Sequence, residues 1–280
     1  MILPFCILYG KERMDKNMKL IFFDIDGTLL PLGSDSIPES AREAIRQARA
    51  NGHICMVNTG RTKAMVGEEL SSQVEFDGYL YGCGTMAYYH DEMLFHNTFS
   101  LEQSKQIMEG LERHRIDAIL EGSEDDYVQP FERMHTDFFR NYVSQFRTFH
   151  FDTYDVALGK YDKLYAHVES PEDIRGFYEE FCEELDFIDR ERGFYEIVPK
   201  GCSKASAIRH MAKLLQIPME NTVAIGDSNN DLSMLECVGT SIAMGNSTQN
   251  VLDIADYVTT DVDKDGIWNA LEWLEVIERK

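Results

Sequence analysis

The residues most able to do chemistry begin at Asp24-Ile25-Asp26-Gly27-Thr28. Alternate residues of an extended segment face the same side, so two carboxylates two positions apart can address one site. Gly27 permits a sharp turn behind them, and Thr28 adds a hydroxyl and a backbone N–H. Taken alone, an Asp-x-Asp-Gly run is read equally well as a solvated turn after a strand. Three further segments change that reading: Thr59-Gly60-Arg61, Gly201-Cys202-Ser203-Lys204 and Gly226-Asp227-Ser228-Asn229-Asn230-Asp231. Together they supply a nucleophile candidate, a hydroxyl, an ammonium and more carboxylates. Carboxylates combined with a backbone carbonyl and water suit Mg²⁺, whose compact octahedral shell takes hard oxygen ligands.

For these segments to meet, the elements that carry them must end on one edge. Lys19 to Ile25 is a nearly continuous apolar run stopped by Asp26-Gly27, the pattern of a buried strand. Pro38 to Asn51 places Ala41, Ala44, Ile45 and Ala48 on one helical face, with Gly52 as a stop. Ile54 to Val57, a helix to about Leu70 and Asp77 to Tyr81 continue the alternation. Strand, helix, strand, helix, strand implies a doubly wound parallel sheet, which binds ligands at the carboxyl ends of its strands. Hairpin-like strands and interspersed helices then intervene. Met86 to Phe99 reads as a hairpin about His90-Asp91, Ser100 and Gln103 open a helix, and Phe187 to Val198 form a second hairpin. From Ser203 onward the alternation returns, with helix 203–215 and strand 222–225. The expected architecture is an α/β core of residues 18–84 and 199–280, an inserted α+β domain at 85–198, and an extension at 1–17.

Charge narrows the partners. The 280 residues include 27 Lys+Arg and 49 Asp+Glu, a formal charge of −22, with 44% hydrophobic residues to build a core. Residues 85–198 hold 26 acidic and 11 basic residues, so the insert is the acidic part. Such a surface repels phosphodiester backbones and anionic lipid, arguing against nucleic-acid and membrane binding. A small anionic ligand requires local donors. The six cysteines are scattered without paired spacing, as expected of free thiols in a reducing cytoplasm. No apolar run approaches a membrane span, and Met1 to Leu8 has neither the basic flank nor the cleavage site of a signal peptide. Nothing in the pattern signals an oligomeric state.

The four motifs, in this order, resemble those of the haloacid dehalogenase-like phosphatase superfamily, and the large insert resembles the α+β cap (C2B type) of its Cof-type branch. The resemblance runs from Met18 to the C-terminus and implies a Rossmann-like core. It implies that Asp24 is the nucleophile and forms an aspartyl-phosphate, and that Asp26 is the general acid and base. It further implies Mg²⁺ on the Asp24 carboxylate, the Asp26 carbonyl, Asp227 and the Ser228 region. Phosphoryl oxygens would be held by Ile25 N–H, Thr59, Gly60, Lys204 and Asn230, with Asp231 orienting its neighbours. The implied substrate is a small phosphorylated metabolite: a sugar phosphate, nucleotide or cofactor phosphate. Cys83-Gly84-Thr85 departs from the Asn-Gly-Ala that relatives often carry.

Competing readings stay in view. A phosphomutase would use the same phosphoaspartate, and an acidic cation-binding module would use none of the chemistry. Asp261, Asp263, Asp265, Gly266 and Glu272 match the spacing of an EF-hand loop, but an EF-hand needs an entering helix where Tyr257 to Thr260 read as a strand. His135, His150 and His167 share no ligand spacing. The Phe131, Phe138, Phe139, Tyr142 and Phe146 series is expected to pack the insert, and Glu121 to Asp126 to form a solvated loop.

Overall fold

A computed structural model describes residues 17–145 and 157–278. The extension up to residue 16 lies outside them, as do Phe146 and His150. The chain opens with β1 (Leu20–Phe23), α1 (Glu39–Ala50), β2 (Ile54–Asn58), α2 (Lys63–Ser71) and β3 (Gly78–Tyr81). All four residues of β1 are buried, because helices cover both faces of the sheet. Ile21 and Phe23 point to the side where α1 lays down Ala41, Ala44, Ile45 and Ala48. Leu20 and Phe22 point to the other side.

A hairpin of β4 (Met86–Tyr89) and β5 (Glu92–His96) follows, and then α3 (Leu101–His114), capped by the expected Ser100–Gln103 box. Next come β6 (Asp117–Glu121), β7 (Asp126–Val128), α4 (Asp137–Ser144), β8 (Lys163–His167), α5 (Arg175–Phe181), β9 (Leu185–Asp189) and β10 (Phe194–Pro199). The chain closes with α6 (Lys204–Leu214), β11 (Thr222–Gly226), α7 (Leu232–Cys237), β12 (Thr240–Ala243), α8 (Gln249–Ile254), β13 (Tyr257–Val258) and α9 (Gly266–Trp273). Ala207, Ile208 and Met211 of α6 cover the Leu20–Phe22 face. The core is therefore a three-layer, doubly wound α/β unit.

Among the described residues, the strands form two sheets. The larger runs β13-β12-β11-β1-β2-β3-β4-β5, and the smaller runs β7-β6-β8-β10-β9. From β13 to β3 the pairs are parallel, whereas β4 and β5 are antiparallel additions. Here the expected division at residue 85 differs from the fold. The hairpin falls within the expected insert, yet β4 pairs with β3 from Gly78↔Tyr89 to Tyr81↔Met86 and widens the large sheet. A tight turn joins consecutive antiparallel strands, so continuing along the open edge beyond β3 satisfies its backbone groups.

The smaller sheet is antiparallel and uses its two faces differently. Ala118, Leu120, Leu164, Ala166 and Ile197 point to a core with α3 and α5. The alternate residues, Glu121, Lys163, Tyr165 and Glu196, point to the opposite face. Part of that face is covered by α4, through Phe139 and Val143 against Ile119 and Val128. The rest faces the large sheet. Helix α5 begins at Arg175.

Candidate active site

Strand β1 lies between β2 and β11, so the carboxyl ends of all three come together. Asp24 leaves β1 with its N–H donated to the Ile225 carbonyl (3.1 Å), and its carboxyl group is buried. The Ile25 side chain is fully buried in the core, which fixes the backbone at this turn. Gly27 has φ +81°, and a Cβ placed there would lie 2.2 Å from Asp227 Oδ2. Glycine thus gives both the left-handed turn and the space that Asp227 occupies. Thr28 Oγ1 donates to Asp227 Oδ1 (3.0 Å), and Asn246 Nδ2 donates to the Gly27 carbonyl (2.8 Å).

Lys204 enters from the other side. It is the first residue of α6, whose Ser203–Ser206 capping box and Asn58-to-Lys204 carbonyl bond (3.1 Å) fix the helix start. Its ammonium is buried and donates to Asp24 Oδ1 and Asp231 Oδ1, both at 2.6 Å. Asp231 Oδ2 accepts from the N–H groups of Asp227 (2.9 Å) and Ser228 (3.1 Å). One carboxylate therefore orients the lysine and the turn after β11 together.

One ammonium does not balance this much negative charge. Burial, reinforced by Asp231, raises the Asp24 carboxyl to about 7 against the pull of Lys204. Burial, with Asp231 and then Asp24, raises Asp227 to about 8. Carboxylate oxygens of Asp24, Asp227 and Asp231 all lie within 4.8 Å of one another. Buried, convergent and electrostatically costly when charged, this donor set fits a hard divalent cation.

In front of Asp24 opens a cleft of about 690 Å³, roofed by the open face of the smaller sheet. Asp26, Thr59, Gly60, Ser228 and Asn230 share its lining with Asp24, whereas Lys204, Asp227 and Asp231 stand behind. Thr59 is anchored by N–H to the Leu80 carbonyl (2.9 Å), and its carbonyl accepts from Cys83 N–H (3.0 Å). Ser228 Oγ donates to Asn230 Oδ1 at 2.5 Å. Asp26 is half exposed and accepts from Arg61 Nε (2.9 Å).

Several participants escape the motif reading. Arg61 belongs to a motif, but nothing local announces its pairing with Asp26. Glu121 to Asp126, expected as a solvated loop, instead begins with a buried carboxylate and ends in β7. Glu121 pairs with Lys163 (2.8 Å), which also reaches Glu196 (3.3 Å) and donates to the Gly60 carbonyl (2.9 Å). Arg190 pairs with Glu196 (2.7 Å), and the Cys83 thiol donates to the same carboxylate. A Cβ on Gly60 would meet Glu196 Oε1 at 2.9 Å, so glycine also lets the two sheets approach here. Burial, with Glu196 nearby, pushes the Cys83 thiol far up, leaving it protonated and no nucleophile. His167 is buried, stacked on Phe138 and close to Phe194. At the EF-hand spacing, strand β13 precedes the loop where an entering helix is required, and Asp261 pairs with Lys264.

A family model described as haloacid dehalogenase-like hydrolase matches residues 21–271. Among curated proteins, the chain is 27% identical over 267 residues to the 5-amino-6-(5-phospho-D-ribitylamino)uracil phosphatase YcsE of Bacillus subtilis (strain 168), covering 93% of this chain and 97% of that one. Among solved structures it is similar to the HAD subclass IIB sugar phosphatase BT4131, with TM-score 0.76, 26% identity and coverage of 93% and 100%. The phosphatase BT1666 of Bacteroides thetaiotaomicron shares the fold at TM-score 0.81 and 22% identity, covering 95% and 98%. No helix among the described residues is long and apolar enough to cross a membrane.

Proposed function

The chain belongs to the haloacid dehalogenase-like hydrolases, and from that premise we propose that it is a Mg²⁺-dependent phosphatase of small phosphomonoesters acting through an aspartyl-phosphate on Asp24. One observation carries the reading: a buried carboxylate at the end of the central strand, held by Lys204, faces a cleft large enough for a metabolite. The phosphatase names of the relatives support the same reaction class.

In this reading Asp24 Oδ attacks phosphorus, a P–O bond forms to the carboxylate, and the ester P–O bond breaks. Asp26 gives its proton to the departing alkoxide oxygen, then takes one from the water that hydrolyses the acyl phosphate. Arg61 fixes the Asp26 carboxylate at the cleft mouth until substrate competes for it. Thr59, the N–H groups of Gly60 and Ile25, Lys204 and Asn230 hold phosphoryl oxygens. These local donors reconcile phosphate binding with the overall charge of −22. Asp24, the Asp26 carbonyl, Asp227 and the Ser228 turn would hold Mg²⁺, which, when bound, offsets the repulsion between anionic nucleophile and dianionic ester. Asp231 orients Lys204 and the turn after β11. The unpaired thiols, five of them within the described residues, support a reducing, cytoplasmic setting.

The experiment is a panel of sugar, nucleotide and cofactor monophosphates, assayed with Mg²⁺ and with EDTA. Release of phosphate from several members with Mg²⁺, abolished by EDTA, is expected. Absence of any turnover, or turnover indifferent to EDTA, overturns the reading.

A further inference from the structure

Thr59 lines the cleft beside Asp24, and its hydroxyl oxygen is already engaged, because it accepts the Arg61 N–H (3.1 Å). Among the described residues the hydroxyl hydrogen reaches no protein acceptor. A hydroxyl fixed through its oxygen in this way keeps its own hydrogen for the cleft. The larger sheet holds the turn by Cys83 N–H on the Thr59 carbonyl (3.0 Å) and Gly82 N–H on the Arg61 carbonyl (2.9 Å). The carbonyl between these two, that of Gly60, is taken from the other side of the cleft. Lys163 Nζ, at the start of β8 in the smaller sheet, donates to it (2.9 Å). Burial alone would favour the neutral amine, but Glu121 and then Glu196 keep this lysine charged. Gly60 C=O and Arg61 N–H belong to one peptide group, so a cation on its oxygen makes its N–H a stronger donor to Thr59.

We propose that Lys163 is a positioning residue for phosphoryl transfer: from the smaller sheet it fixes the Gly60–Arg61 peptide, and through that peptide it aims the Thr59 hydroxyl at a phosphoryl oxygen. This rests on the phosphatase reading and adds to it how the approach of the smaller sheet completes the phosphate-binding turn of the larger one. Glu121 (2.8 Å) and Glu196 (3.3 Å) hold the ammonium over the Gly60 carbonyl. With its donors spent on two carboxylates and one carbonyl, Lys163 acts through the peptide. Its influence therefore falls on the phosphoryl end, which every substrate shares, and not on the leaving group. Withdrawing a charge-assisted hydrogen bond at this point is expected to lower kcat/KM on the order of tenfold.

The test is a double-mutant cycle between Lys163 and Thr59, read as kcat/KM at saturating Mg²⁺. Lys163→Met is made on Glu196→Gln and, separately, on Glu121→Gln, so that neither version strands both carboxylates, and each is compared with its own glutamine parent. With Thr59 in place, the loss of Lys163 should lower kcat/KM about tenfold. The drop should be the same for p-nitrophenyl phosphate as for the best monophosphate of the panel, and inorganic phosphate should inhibit more weakly. With Thr59→Ala the drop should shrink by about threefold or more, because the path from lysine to phosphoryl oxygen is already cut. Thr59→Ser, which keeps the hydroxyl, should restore the full dependence on Lys163. A lysine that merely holds the two sheets together gives equal drops with Thr59 and with Ala. Equal drops, a drop below about threefold with Thr59 in place, or one confined to a single leaving group overturns the inference and leaves the phosphatase reading intact. Absence of turnover by the unaltered protein on every substrate removes that reading and the inference together.

Discussion

Replacing Lys163 by Met tests whether the roof of the cleft is held by charge. The ammonium is 2% exposed and is surrounded by Glu121, Glu196 and the Gly60 carbonyl. Burial alone would raise the Glu196 carboxyl, but Lys163, with Arg190 helping, brings it down to about 2 from an ordinary 4.5. A depression of that size corresponds to about 3 kcal/mol of stability. It is fully present above pH ~4.5 and is lost as the pH falls toward 2. Methionine keeps the length but leaves two buried carboxylates facing the Arg190 guanidinium alone. Breaking a buried pair in this way costs about 3–5 kcal/mol. The sign of the pH dependence then inverts. Without its main cation, Glu196 protonates above its unfolded value, the folded state binds more protons, and the variant gains relative stability as the pH falls. Urea unfolding at pH 7.5 should therefore show a loss of about 3–5 kcal/mol, narrowing by about 1 kcal/mol or more at pH 5. Adding Glu196→Gln to Lys163→Met should restore part of the loss. A loss below about 1 kcal/mol, or one independent of pH, would refute the reasoning.

Two other changes read the floor of the cleft. Gly27→Ala puts a methyl group where Asp227 Oδ2 lies 2.2 Å away, at φ +81°, so stability should fall by about 1–3 kcal/mol and the Mg²⁺ concentration for half-maximal activity should rise. An unchanged Mg²⁺ titration would contradict that placement of Asp227. Asp26→Asn should lower turnover of an alkyl phosphate by about 10²–10⁴-fold. The loss should be smaller for p-nitrophenyl phosphate, whose leaving group needs no proton; equal losses would remove Asp26 as the acid.

The floor of this cleft was legible because each of its parts is local. Asp24 follows an apolar run, Thr59 and Asp227 follow two more, and Lys204 follows a cap residue, so strand-end geometry brings them together. The roof was not legible in the same way. Glu121 alternates with Leu120 in a strand whose charged face becomes buried only when another sheet approaches it. That approach is made by Lys163 and Glu196, 42 and 75 positions further on. Asp126–Val128 is too short for periodicity to register and exists because β6 offers an edge. The Met86–His96 hairpin announces its turn, but a local signal does not say which sheet it extends. Arg61 was visible as a residue of a motif, while its pairing with Asp26 depends on how β1 and β2 align.

The account turns on phosphorylation of one carboxylate. Beryllium fluoride adds to a carboxylate oxygen as a phosphoryl group would, so a crystal structure of the protein with Mg²⁺ and beryllium fluoride shows directly which side chain is the nucleophile. The expected result is beryllium bonded to an Asp24 carboxylate oxygen, with fluorides toward Lys204 and Thr59. Beryllium bonded to Asp26 or Asp227, with Asp24 left free, would contradict the account.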